Sequence, residues 1–196
     1  MGLKKNIFSM NLKSIIEERC VLGEGLFTKN HVHYWVDIQK NCVYRFKKNN
    51  LETFKVSYKP SVIFDEKDGE VLIGSDIGVV SQRLENDEFR IINKLPEDHN
   101  FDKYRSNDGG FCDNSILLGF MDRNNPGDNA GLIYAISDNE MILIDDSIHI
   151  PNSFIEIEPG KVLISDSYKN QIWLFELDFQ TNIFNKTLWK QLDSDI

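Results

Sequence analysis

The 196-residue chain sets 31 Asp and Glu against 22 Lys and Arg, a formal net charge of -9, with 41% hydrophobic residues. That composition excludes a disordered or membrane-embedded chain, and the acidic balance argues against nucleic acid, whose affinity for proteins comes from clustered Lys and Arg. Three cysteines, Cys20, Cys42 and Cys112, are odd in number and widely spaced, so they form neither a CxxC metal pattern nor a paired disulfide set and are expected to be buried free thiols in a reducing compartment.

The N-terminal stretch holds Lys4 and Lys5 but no continuous apolar segment of signal-peptide length before Glu17 and Glu18, so secretion is not expected. Asn6 stands where a myristoylation signal has Ser or Thr. The reading is a cytoplasmic protein with residues 1–12 as a flexible leader and a weak helical periodicity near Leu12–Glu18. Beyond it the chain reads as short strands. His33–Asp37, a polar turn and Val43–Phe46 form the first pair. Asp68-Gly69, Val71–Asp76 and Gly78–Val80 repeat the order, and Ile116–Asp122 repeats it again before an Asn-Pro-Gly loop and Leu132–Ile136. The clearest copy is Ile150–Asp178: Phe154, Ile155 and Ile157, a Pro159-Gly160 turn, Val162–Ile164 closed by Asp166-Ser167, a polar turn, then Ile172–Phe175. Short runs rich in β-branched and aromatic residues, punctuated by Pro, Gly, Asn and Asp, predict antiparallel meanders.

The aspartates closing the first strand of each pair, Asp37, Asp76, Asp122 and Asp166, recur at roughly 40 to 45 residues, the period of a four-stranded propeller blade. Sheets repeated at this period close radially and so protect their edges, whereas a sandwich or barrel shows no such long period. The expected fold is therefore all-β, a single β-propeller domain over residues 1–196 with about four blades, few for a closed ring. One sizeable core or two small ones would suit its length.

Three short constellations carry chemistry. Gly23-Glu24-Gly25 presents a carboxylate between glycines, which permit close backbone approach to a ligand. In Arg105-Ser106-Asn107-Asp108-Gly109-Gly110, a guanidinium and an amide two residues apart share one face if the segment is extended, and suit hydroxyls and a carbonyl; the competing reading is an Asn-Asp-Gly turn. Pro151-Asn152 places an amide oxygen at the start of a strand, where it can ligate a hard cation. His31 and His33 alternate like a transition-metal chelate but fall at a hairpin, which favours surface histidines. The run from Asp122 to Gly127 fails as an EF-hand, with Pro126 at the third ligand position and Ile133 in place of the required Glu. No phosphate-binding glycine loop and no GxSxG occurs.

Taken in order, Gly23-Glu24-Gly25, Tyr34–Asp37, Tyr44–Phe46, Arg105–Gly109, Gly119–Arg123, Pro151-Asn152 and Ser165–Ser167 resemble the SMP-30/gluconolactonase/LRE-like family, from about Val21 to the C-terminus. The resemblance implies a six-bladed propeller carrying one divalent metal, Ca²⁺, Mg²⁺, Mn²⁺ or Zn²⁺, on its axis and hydrolysing lactones of sugar acids. Carried over by motif, Glu24 and Asn152 are metal ligands, and Arg105 and Asn107 hold the substrate. The family's catalytic aspartate, which is also a metal ligand, follows a Pro-Asp-Gly motif expected beyond Ile196. Asp193 and Asp195 lack the Gly and the downstream Asp of that pattern, and Asp166 reads as structural, through hydrogen bonds to the turn after it.

The sequence departs from the family in several places. Cys112 stands where an Asp is usual, and the turn to the next strand is one residue short. Ser153 replaces the Gly after the ligand Asn, a strained choice if that position needs positive φ. Leu26 stands where Pro is usual. Three outcomes are expected to compete: a metal-dependent lactonase of which this chain forms about two thirds, a metal- or sugar-binding propeller without turnover, and the inactive product of an interrupted gene. Exposed blade faces would then favour self-association.

Overall fold

A computed structural model describes residue 14 and residues 16–86, 88–137 and 140–193. The leader expected over 1–12 lies outside them, and residues 14 and 16–20 carry neither helix nor strand. Among the described residues sixteen strands form four antiparallel four-stranded sheets. Blade 1 is β1 (Gly23–Lys29), β2 (Val32–Asp37), β3 (Cys42–Lys47) and β4 (Asn50–Lys55). Blade 2 is β5 (Pro60–Lys67), β6 (Glu70–Ser75), β7 (Gly78–Arg83) and β8 (Glu88–Lys94), with a 3-10 turn at Leu84–Asn86. Blade 3 is β9 (Tyr104–Cys112), β10 (Ser115–Asp122), β11 (Leu132–Ser137) and β12 (Glu140–Asp145). Blade 4 is β13 (Pro151–Glu158), β14 (Lys161–Asp166), β15 (Gln171–Asp178) and β16 (Ile183–Gln191). Each is a meander in chain order, as the repeat predicts. Among the described residues no helix is long and apolar enough to cross a membrane.

Among the described residues the apolar side chains form three clusters rather than one or two cores, and each cluster is a blade interface. Tyr34, Val36 and Val43 of blade 1 meet Ile63, Val71, Ile73 and Val80 of blade 2. Val62, Phe64 and Val79 of blade 2 meet Leu118, Phe120, Tyr134 and Ile136 of blade 3. Leu117, Ile133 and Ala135 of blade 3 meet Val162, Ile164 and Phe175 of blade 4. Blade 2 is thus covered on both faces: β5 is buried from Pro60 to Phe64 and β7 along all but Arg83. In blade 4 the alternation survives, with Val162 and Ile164 buried and Leu163 half-buried.

Gly25, at φ +62°, adapts blade 1 to blade 2: a Cβ there would lie 2.9 Å from the Val62 Cα. The glycine expected to open space for a ligand instead lets two blades touch.

Candidate functional site

The four inner strands β1, β5, β9 and β13 begin at the same end of the molecule, each beside the aspartate-bearing end of its neighbour: Gly23 opposite Asp37, Pro60 opposite Ser75, Tyr104 opposite Asp122 and Pro151 opposite Asp166. The second residue of each is Glu24, Ser61, Arg105 and Asn152. Ser61 is buried, and its hydroxyl donates to the Gly74 carbonyl at 3.1 Å. The other three are residues expected from sequence to form the site.

The aspartates at the ends of β2, β6 and β14 fix the approach to these strands. Asp37 accepts from Val21 N–H at 2.7 Å and Leu22 N–H at 3.3 Å, just before β1. Asp76 accepts from Lys59 N–H at 2.9 Å, just before β5. Asp166 accepts from His149 N–H at 2.9 Å and Ile150 N–H at 3.3 Å, just before β13, as well as from Tyr168 and Lys169 N–H in the expected following turn. Blade 3 uses a cation instead: the Arg123 guanidinium donates to the Phe101 and Tyr104 carbonyls and to Asp76.

Each inner strand also bulges just past its start. Register slips between Glu24 and Phe27, between Pro60 and Val62, at Asn107, and between Asn152 and Ile155. A bulge re-aims side chains that strict alternation would send to opposite faces. Arg105, Ser106, Asn107 and Asp108 are thus strand, not turn. The Arg105 guanidinium donates to Asn107 Oδ1 at 3.0 Å and to the Ser106 carbonyl at 2.9 Å, so the two predicted substrate-holding groups share a face. Asn107 Nδ2 also reaches across to the Pro151 carbonyl at 3.0 Å, tying blade 3 to blade 4 beside Asn152. Asn152 Oδ1 accepts from Ser153 N–H at 2.9 Å, its Nδ2 donates to Ser167 Oγ at 3.2 Å, and its backbone carbonyl accepts from Ser165 Oγ. Ser153 has φ +54°, the left-handed conformation that glycine would adopt without strain. The shortened connection after β9 is a two-residue hairpin at Asp113-Asn114, at the far end of that strand from Arg105.

Asp108 belongs to this group although alternation from Asn107 places it on the opposite face. Its Oδ2 accepts from Ser153 N–H at 2.7 Å. Burial raises its pKa against the lowering effect of the Gly109 and Ser153 N–H groups. Burial and then the Asp108 charge raise that of Glu24, opposed by Arg105. Burial, followed by Arg123, lowers that of Arg105. The Glu24 carboxylate accepts no hydrogen bond from any described residue. Beside it a shallow depression of about 340 Å³ is lined by Gly23, Glu24, Gly25, Leu26 and Trp35. Two acids held against their charged forms, with one neighbouring guanidinium and an amide oxygen, make a hard-oxygen set short of positive charge. That chemistry fits a divalent cation with Glu24 and Asn152 as donors.

Other clusters fit less well. Cys112, Asp113 and Glu156 bring three donor atoms within 4.8 Å of one another at the opposite end of β9. Burial pushes the Cys112 thiol up to about 12, and Glu156 is engaged by the Asp113 N–H at 2.7 Å. A cleft of about 450 Å³ at the β5–β6 hairpin is lined by charges such as Glu70 and Arg90, which pair with each other. His31 sits in the β1–β2 turn at φ +61°, not on a strand, and His33 Nδ1 lies 2.9 Å from Thr28 Oγ1.

Repeated four-stranded meanders, packed blade on blade with polar residues gathered where the inner strands begin, define a β-propeller with one candidate ligand site at that end. A family model described as the SMP-30/Gluconolactonase/LRE-like region matches residues 22–195, and the chain belongs to that family. Among solved structures it is similar to regucalcin, a calcium-binding protein from Agrobacterium tumefaciens, with 20% identity, TM-score 0.79, and coverage of 90% of this chain and 62% of that one. A luciferin-regenerating enzyme aligns at 18% identity and TM-score 0.72, covering 86% of this chain and 60% of its own. A candidate gluconolactonase aligns at 15% identity and TM-score 0.69, covering 86% and 63%. At these identities the likeness establishes the fold, and this chain spans less than two thirds of each of those proteins. Comparison with curated protein sequences gives no match.

Proposed function

We propose that this chain provides the cation-binding and substrate-holding part of a metal-dependent hydrolase for a sugar-acid lactone, working in the cytoplasm, where its three free cysteines would stay reduced. The observation that carries the reading is the convergence of Glu24, Arg105, Asn107 and Asn152, from three blades, in a chain of this family. Glu24 and Asn152 would hold one divalent ion, with Ca²⁺, Mg²⁺, Mn²⁺ and Zn²⁺ all compatible with oxygen donors. When bound, such an ion supplies Lewis-acid polarisation of the lactone carbonyl and a water of lowered pKa. Arg105, held by Asn107 and the Ser106 carbonyl, donates to the oxygens of the sugar acid and orients its ring. Asn107 keeps Arg105 aimed while anchored to Pro151.

The general base is assigned to no residue of this chain. Asp166 is occupied by four backbone N–H groups, and Asp193 lacks the motif that would mark the catalytic base. By itself the 196-residue polypeptide is therefore proposed to bind the cation without turning over lactone. A second copy is the proposed cover for the outer face of blade 4, where the cross-strand row Ile155, Leu163 and Leu174 is apolar and Ile155 is 56% exposed.

Titration with Mn²⁺ by calorimetry, paired with a hydrolysis assay on a panel of sugar lactones, tests the reading. Binding to the unaltered chain, weakened at least about 10-fold in Glu24→Gln, is expected with no hydrolysis. Equal binding by both proteins would overturn the ligand assignment, and metal-dependent hydrolysis lost in Glu24→Gln would overturn the proposed inactivity. In sedimentation, Ile155→Lys should shift the polypeptide toward monomer; an unaltered chain that is already monomeric at high concentration removes the second copy.

A further inference from the structure

At the start of β13 two acceptors meet on one donor. The Ser153 N–H donates both to Asn152 Oδ1, at 2.9 Å, and to Asp108 Oδ2, at 2.7 Å. Register skips from Asn152 to Ile155, which leaves this N–H outside the β13–β14 ladder. On the facing strand, the bulge at Asn107 turns Asp108 toward it. The two strands are seated closely: a Cβ on Gly110 would lie 2.6 Å from the Phe154 Cβ and 2.9 Å from its carbonyl oxygen.

We propose that Asp108 is a positioning residue for the cation site: by accepting the Ser153 N–H, it releases the Asn152 side-chain oxygen to face a divalent ion. This rests on the reading of Glu24 and Asn152 as ligands. The physical reason is an exchange of acceptors. Ser153 is exposed, so water competes for its N–H, but a water is a looser acceptor than an oxygen fixed on the neighbouring strand. If Asn152 Oδ1 were its only protein acceptor, drawing that oxygen toward a cation would give up a fixed hydrogen bond for a hydrated one. With Asp108 already the shorter of the two bonds, the oxygen leaves and the donor stays satisfied. Asp108 acts on the ion through Asn152, as an outer hydrogen bond fixes the orientation of a ligand. The Ser153 backbone, in the left-handed region, directs its N–H between the two oxygens.

Mn²⁺ calorimetry on the full chain, with thermal melting of each cation-free variant, tests the inference. Asp108→Ala should weaken Mn²⁺ binding about 10- to 100-fold. Asp108→Asn, whose side-chain carbonyl can accept the same N–H, should recover most of that loss. Should Asp108→Ala fail to fold, Asp108→Ser, too short to reach the N–H, carries the same expectation. Undiminished binding by the Ala or Ser variant overturns the positioning role. An Asn variant as weak as the Ala variant also overturns it, because charge or direct ligation would then be the agent. Mn²⁺ binding that is insensitive to Glu24→Gln, or absent from the unaltered chain, overturns the cation reading beneath it.

Discussion

Asp166→Ala removes the acceptor of four backbone N–H groups at once. The carboxylate is 2% exposed and holds His149 at 2.9 Å, Ile150 at 3.3 Å, Tyr168 at 3.0 Å and Lys169 at 3.2 Å, clamping both the approach to β13 and the turn after β14. Taking about 1 kcal/mol for each net hydrogen bond lost, and allowing water to reach some of the freed donors, gives a loss of about 3–4 kcal/mol, a large part of the stability of an ordinary domain. Asp166→Asn refines the test. Three of the four donors meet Oδ1, which an amide oxygen can replace, whereas His149 N–H meets Oδ2, where an amide NH₂ would oppose donor to donor. Its loss should be smaller, about 1–3 kcal/mol. Urea unfolding followed by tryptophan fluorescence measures both, with Trp173 on β15 as a reporter within the affected blade. Losses below about 1 kcal/mol for Asp166→Ala would refute the claim that this carboxylate staples the blade.

Ser153→Gly relieves a left-handed residue while keeping its N–H; against the backbone entropy of glycine, a gain of about 0.5–1 kcal/mol in unfolding stability is expected, with Mn²⁺ affinity retained. Glu24 and Asp108 both titrate above their ordinary values, so the folded chain holds protons that the unfolded chain has released; without metal, stability should fall as pH rises from the ordinary carboxylate range through the raised values. Glu24→Gln should reduce that slope and raise the cation-free melting temperature at neutral pH while weakening Mn²⁺ binding, and a lowered melting temperature would contradict the repulsion argument. His99 is 5% exposed, its Nε2 has no hydrogen-bond partner among the described residues, and burial, then Arg123, lower its pKa against Asp98 and Asp76. Its contribution to stability should be full above the ordinary histidine pKa near 6.5 and be lost as pH falls from there through the folded value, a dependence that His99→Phe removes in melting curves.

The blades were legible where a strand is buried on one face and ends in a turn signal. Val162–Ile164 with Asp166, and Val71–Ile73 before Asp76, announce β14 and β6 by type and period. The outermost strands were not: β8 and β16 are mostly exposed, β4 is half exposed, and all three carry little apolar alternation, so only their pairing to a neighbour makes them strands. In the candidate site, Glu24, Arg105, Asn107 and Asn152 are named from motif order; Arg105 and Asn107 are hydrogen-bonded to each other, Asn107 reaches the strand that carries Asn152, and Glu24 lies within the field of Arg105. Asp108 could not, although it stands in the same run, because an ideal strand puts it on the far side of Asn107. One unpaired residue in β9 reverses that face, and nothing local in Arg-Ser-Asn-Asp-Gly declares the bulge.

The same reasoning explains why the site collects charge that the fold alone does not need. A propeller's inner strands begin side by side, so residues two positions into separate blades become neighbours without any sequence proximity. The aspartate staples hold β1, β5 and β13 in place at their first residues, and the bulges then break alternation where the strands converge. For folding, a serine such as Ser61, which bonds within its own blade, is sufficient at such a position. Glu24 and Asp108 instead sit in partly buried surroundings that raise both pKa values, and the Asp108 charge adds to the rise at Glu24. A carboxylate kept without a hydrogen-bonding partner beside a second acid is a local cost to stability, and a cation is the simplest ligand that would reverse its sign.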